Sequence, residues 1–232
     1  MRFAALFRVQ LLEIRRNPIM GMMPTMIIVL TAVWALLADE GSRPFMISAA
    51  LLMAPYMVGL QVPAQSLAEE RDKRTLEALF LTPARPMEVI GSKLAATALI
   101  AVFAAGVSLA IFKTTPAHPA ILGAGFGLAM LLNMSIGTAI GLLAPDQKSA
   151  GMLAAPFMMV QLFGTMMPWE EALPGFWAVS AYLPTRPMFE LFQMGVAGVE
   201  RPVLRNILVL LPYVLVPLAF AVRQIRRQAS NR

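Results

Sequence analysis

Long apolar runs separated by short polar breaks dominate the chain, and their lengths decide its class. Stretches of about 18 or more residues with almost no charge are the signature of membrane-crossing helices. Six such stretches cover residues 19–38, 45–67, 89–112, 120–143, 149–167 and 203–222, with Lys93 and Arg205 the only charges, each near an end. The breaks carry turn formers: DEGSRP at 39–44, TPAHP at 115–119 and PDQK at 145–148. The ten-residue alternation of an outer-membrane barrel is absent. The pattern predicts an all-α integral membrane protein with six transmembrane helices.

Three segments fall outside those spans. Residues 1–17 place Phe3, Leu6, Phe7, Leu11 and Ile14 at helical spacing, with Arg2, Arg8, Arg15 and Arg16 at or near the opposite face. That predicts an amphipathic helix at the headgroup level rather than a cleavable signal. Residues 168–202 are too long and too apolar for a simple loop. They hold Trp169, Phe176, Trp177, Tyr182, Phe189 and Phe192, broken by Pro174, Pro184 and Pro187. Two short helices at the outer interface, forming a re-entrant hairpin or lid, would suit such a composition.

The third segment is the charged connector, residues 68–88, between spans 2 and 3. A stretch this charged sits in water or against a soluble partner. Thr75 is a candidate N-cap, and Leu76, Leu79 and Phe80 make an apolar stripe. Pro83 stops this helix and Pro86 starts the next. The stripe either fills a partner's groove or rests on lipid headgroups.

Composition sharpens the class. Hydrophobic residues make up 58% of the chain and charged residues 14%, with a mean hydropathy of +0.69. There is no cysteine, which removes disulfides and thiolate metal sites. The single histidine, His118, lies in a proline-flanked loop and reads as solvated. The net charge of +6 reports orientation rather than nucleic-acid binding. Fourteen of the 19 Lys and Arg residues fall in the N-terminal segment, the connector with the adjoining Lys93, the 145–148 turn and the C-terminal tail. The positive-inside rule then places both termini and the connector in the cytoplasm.

No catalytic set is legible. The chain lacks a G-x-x-x-x-G-K-[ST] loop, an H-E-x-x-H pair and a G-x-S-x-G elbow. The glycines of GAGFG at 123–127, like Gly137 and Gly141, read as helix-packing positions within one subunit. Apart from Lys93 and Arg205 near span ends, the polar residues inside the spans are uncharged. Among them Gln61, Gln65, Asn133 and Gln161 are candidates for a substrate path, with interhelical hydrogen bonding as the plain alternative. The 18 methionines read as packing or as adaptable lining for an apolar cargo. A Cu(I) path would be expected to add Cys or His.

The connector and the sequence after it, from Glu70 through Thr75, Leu76, Glu77, Leu79, Thr82 and Pro83 to Glu88, Gly91 and Lys93, resemble the ABC-2 type permeases. These are the membrane subunits of ATP-binding-cassette exporters, whose pattern is E-x-x-x-G-T-L-E-x-L-L-x-T-P. The chain departs at Arg74, where glycine is usual, and at Ser92, which splits a Gly-Lys pair. The resemblance implies that residues 75–81 are a coupling helix docked on a nucleotide-binding ATPase subunit. Leu76, Leu79 and Phe80 would be its anchors. Glu70, Arg71, Lys73, Arg74 and Glu77 would form the charged rim, with Thr75 and Pro83 bounding the helix.

It also implies two copies of the ATPase subunit and a second permease copy, identical or related. ATP and Mg would be bound by the partner, and this chain would hold no cofactor or metal. The setting implied is a prokaryotic inner membrane with its lipids, and the cargo a membrane-soluble small molecule, antibiotic, peptide or lipid. The alternatives are an ATP-independent secondary transporter and a non-transporting scaffold. No Asp or Glu at a span centre argues against the first.

Overall fold

The computed structural model describes residues 2–73, 86–166 and 179–230. Regular structure among them is entirely helical. Helix α1 covers Arg2–Arg16 and α2 covers Pro18–Leu37. Span 2 is one continuous rod made of α3 (Arg43–Met53), a π-helical stretch (Ala54–Gly59) and α4 (Leu60–Asp72). Then follow α5 (Pro86–Ile111), α6 (Pro119–Leu143), α7 (Gln147–Met166), α8 (Thr185–Ala197) and α9 (Val203–Ser230). Among the described residues, six stretches are long and apolar enough to cross a membrane: α2, the span 2 rod, α5, α6, α7 and α9.

The helices start where proline or an acidic cap allows. Pro18, Pro44, Pro86 and Pro119 all occupy first-turn positions, where a missing N–H costs nothing. Asp146 caps α7: the Ser149 amide donates to Oδ1 and the Ser149 hydroxyl to Oδ2, each at 2.8 Å. Those bonds, the amide first, hold the Asp146 carboxyl below the usual carboxylate range. Its folded pKa lies below its unfolded one. The cap therefore adds stability above the unfolded value of about 3.9, which is lost as pH falls through the folded value. Asp146→Ala is expected to flatten this acid-side fall, measured as thermal unfolding in detergent at stepped pH.

Span 2 is the axis of the bundle. Of its most apolar window 89% is buried within this single chain, against 17% for spans 1 and 6 and 61% for span 4. Between lipid-bathed helices there is no hydrophobic drive, so close van der Waals approach has to hold them together. Span 4 supplies that approach. A Cβ on Gly137 would collide with the Leu60 carbonyl oxygen, and one on Gly141 would lie 2.7 Å from that of Ala64. Backbone therefore meets backbone along the α4–α6 seam. The sequence motif at 123–127 behaves differently: Gly125 packs on Leu191, while Gly123 and Gly127 face open space.

Polar side chains inside the spans mostly bond to their own helix one turn back. Ser48, Thr97, Ser108, Asn133, Ser135 and Thr165 all donate to a carbonyl four residues earlier. That satisfies them without water. Thr31 and Ser108 add a hydroxyl pair between spans 1 and 3, at 3.1 Å.

Helix α8 runs antiparallel to α6. Its Gly195 abuts Leu122, Leu191 lies against Gly125 and Phe192 beside Phe126, and its first residue, Thr185, reaches Gly164 of α7. Gly198, at φ 70°, ends it in the left-handed region where a side chain would be strained. Buried Glu190 fastens α8 to the last span. It accepts from Arg186 Nε, Arg205 Nη2 and Asn206 Nδ2, each at 2.9 Å. The other aromatic-rich part of the predicted hairpin, residues 167–178, lies outside the described residues.

Candidate functional site

Four chain segments converge on one end of the bundle. The α1–α2 elbow is tied to span 2 by Asn17 Nδ2 donating to Glu69 Oε2 at 3.0 Å. The end of span 2 is tied to the 143–147 turn by Arg71, whose Nη1 donates to the carbonyls of Leu142 (2.7 Å) and Ala144 (3.2 Å). A cation there suits the carbonyl-rich C-terminus of helix α6. Ile225 of α9 packs with Leu67, Ile90 and Leu142 at the same end. The connector leaves from, and returns to, this end.

At its centre lies Lys93, about two turns into α5 and 3% exposed. Its Nζ contacts Glu70 Oε1 at 2.6 Å, Ser66 Oγ at 2.7 Å and Gln10 Oε1 at 2.8 Å, with Glu13 Oε2 at 3.8 Å. A lysine near the end of a span commonly reaches out toward the headgroups. Here the ammonium turns inward, because a carboxylate and two neutral oxygens replace its water. One charged group thus joins α1, α4 and α5. The same contact sets the roll of α1. Its Ile14 is buried, and Phe7 and Leu11 pack on the bundle core, leaving Val9 and Leu12 exposed. The apolar face predicted to rest on lipid is in large part spent on protein.

Of the residues assigned to the coupling helix, Arg74, Thr75, Leu76, Glu77, Leu79, Phe80 and Pro83 lie outside the described residues. Glu70 is 8% exposed and faces Lys93, not solvent. Arg71 is exposed, with its guanidinium on the end of span 4. Beside it Lys73 pairs with Glu69 at 2.6 Å, and that hydrogen bond holds the Lys73 ammonium above the usual lysine range.

The four path candidates separate into two pairs. Gln65 Nε2 donates to Gln61 Oε1 at 3.0 Å, and both are buried in span 2. Gln161 Nε2 donates to Asn133 Oδ1 at 2.9 Å, joining spans 5 and 4. One turn up, Tyr56 and Thr165 share a hydrogen bond of 3.2 Å between spans 2 and 5. A groove of about 830 Å³ opens between α6, α7 and α9 and ends against the start of α8. Leu132, Ile136, Phe157, Val160, Tyr213 and Val216 line it with three prolines of α7 and α9: Pro156, Pro212 and Pro217. Gln161 is the only one of the four path candidates on its wall. Such a lining takes an apolar guest and offers no charge to hold an ionic one.

Sequence reasoning missed the Lys93 centre, the Tyr56–Thr165 pair and the Glu190 cluster. Only the last had a local signal, Arg186 and Glu190 four residues apart. Among the described residues, no three His, Asp or Glu gather as a metal site would require.

The family described as ABC-2 family transporter protein matches residues 19–223, from the first span to the end of the last. No curated protein matches the chain.

Proposed function

The chain belongs to the ABC-2 transporter family, and on that premise we propose that it is the permease subunit of an ATP-driven exporter. Members of this family are membrane components of transporters and normally work with an ATP-binding subunit. The observation that carries the proposal is where the two helix ends that flank the charged connector lie. The end of α4 and the start of α5 sit at the same end of the bundle as α1, the 143–147 turn and the tail of α9. That end is cytoplasmic if the basic residues follow the positive-inside rule.

In this scheme residues 75–81 form the coupling helix. Leu76, Leu79 and Phe80 anchor it in a cleft of the ATP-binding subunit, and Arg71, Arg74 and Glu77 rim the contact. Glu70 acts from inside, holding Lys93. Two permeases and two ATP-binding subunits make the working assembly, with ATP and Mg bound by the latter. The apolar groove at Gln161 receives a membrane-soluble cargo with a large hydrocarbon part, and α8 closes it from the outer side as a re-entrant helix. The setting is a prokaryotic inner membrane.

Leu76→Asp and Phe80→Asp are expected to abolish ATP-coupled transport while the protein still inserts. The check is co-purification with the ATP-binding subunit and its membrane-stimulated ATP hydrolysis. Normal coupling in either variant would remove the docking role, and transport without ATP would favour a secondary transporter.

A further inference from the structure

We propose that the C-terminal end of α9 carries a binding site for an anionic phospholipid, with its phosphate on Arg223, Arg226 and Arg227 and an acyl chain along Val216, Ala219 and Phe220. The inference needs α9 to span a bilayer and does not depend on the transport reading.

The roll of α9 follows from its contacts. Leu210, Val214, Ala221 and Ile225 are buried, and Ile225 packs with Leu67, Ile90 and Leu142. Helical periodicity then turns residues 216, 220, 223 and 227 away from the bundle. All four are exposed, as are Ala219 and Arg226. This outward face changes character along its length. Val216, Ala219 and Phe220 present bare hydrocarbon, and the next turn presents three guanidinium groups. Arg223 to Arg227 spans only about 6 Å of helix axis. The three arginines line a shallow cleft of about 470 Å³ together with Ala219 and Val222. Apolar first and cationic next is the order of chain and phosphate in one leaflet of an anionic membrane.

The charges are available to a ligand. Other cations at this end of the bundle are spent on protein oxygens: Lys93 on Glu70, Lys73 on Glu69, and Arg71 on the carbonyls of Leu142 and Ala144. Arg223, Arg226 and Arg227 have no carboxylate partner among the described residues. No Asp or Glu follows Glu200 in the chain. A guanidinium offers phosphate two parallel N–H donors. An acidic protein surface would also meet this charge, but it would leave Phe220 and Val216, one and two turns deeper in the span, uncovered. A lipid covers both.

The chain has no cysteine, so one introduced thiol carries one fluorophore. Phe220→Cys reports the site, and Leu153→Cys, also exposed but on α7, is the control. Each labelled full-length chain is placed in phosphatidylcholine nanodiscs with rising amounts of phosphatidylglycerol whose acyl chains are brominated, and quenching is read. Brominated phosphatidylcholine gives the reference. Each arginine at a charged leaflet contributes about fivefold. Position 220 should therefore prefer phosphatidylglycerol over phosphatidylcholine by roughly a hundredfold, and position 153 should not distinguish them. Replacing Arg223, Arg226 and Arg227 together by Gln should abolish the preference at 220 and leave the signal at 153 unchanged. If that chain fails to insert, Arg226→Gln alone, expected to lose about fivefold, decides the matter. Equal quenching by the two lipids at position 220 overturns the proposal. So does a preference that survives the triple substitution while co-purification with the ATP-binding subunit is lost, which assigns the arginines to a protein contact.

Discussion

Gly137→Val is expected to abolish the assembled bundle. A Cβ there runs into the Leu60 carbonyl oxygen, with the Leu60 carbonyl carbon at 3.1 Å and its Cα at 3.3 Å. All three atoms are backbone, so no side chain can swing aside. Overpacking a core that can yield costs about 1–3 kcal/mol. Here the two helices must part, and the seam from Gly137 to Gly141 parts with them. Span 2 is the axis on which the other spans pack, so loss of this seam spreads. The variant should still insert, since its apolar length is unchanged, but lose its thermal transition in detergent and become protease-sensitive. Gly123→Val, facing open space, is the control. Equal stability of the two variants would show that spans 2 and 4 do not meet as described.

Lys93→Met is expected to have the next largest effect. Removing one member of a buried ion pair typically costs about 3–5 kcal/mol, because the other is left as an uncompensated charge. The Glu70 carboxylate would lose its ammonium partner, and Gln10 and Ser66 a donor. Replacing both members often recovers most of the loss. Lys93→Met with Glu70→Met should therefore melt closer to the parent than Lys93→Met alone, a comparison that unfolding in detergent makes directly. If the single variant melts as the parent does, Lys93 is solvated and the junction is not built as described.

The spans were legible because length and missing charge suffice to define them, and prolines at 18, 44, 86 and 119 mark helix starts by a local rule. The junction was not legible. Lys93 and Glu70 are separated by the whole connector, and a lysine near a span end looks the same whether it reaches water or a carboxylate. Gln61 and Gln65, four residues apart, bond to each other along one helix face, which their being polar inside a span did not reveal. The depth of α8 was hidden for a similar reason. Its apolar face suits an interface or a cleft, and the cleft exists only because Gly125 and Gly195 remove the side chains that would fill it. The predicted coupling helix, residues 75–81, lies outside the described residues.

The sheathing of span 2 limits how the molecule can be used. Gln61 and Gln65 are walled in by their own chain, with Gln65 Nε2 3.3 Å from where a Cβ on Gly151 would lie. No passenger can brush against them while span 5 stays where it is. Either that rod remains a spine and traffic runs along its outer neighbours, or span 5 lifts away once per cycle and unwraps it.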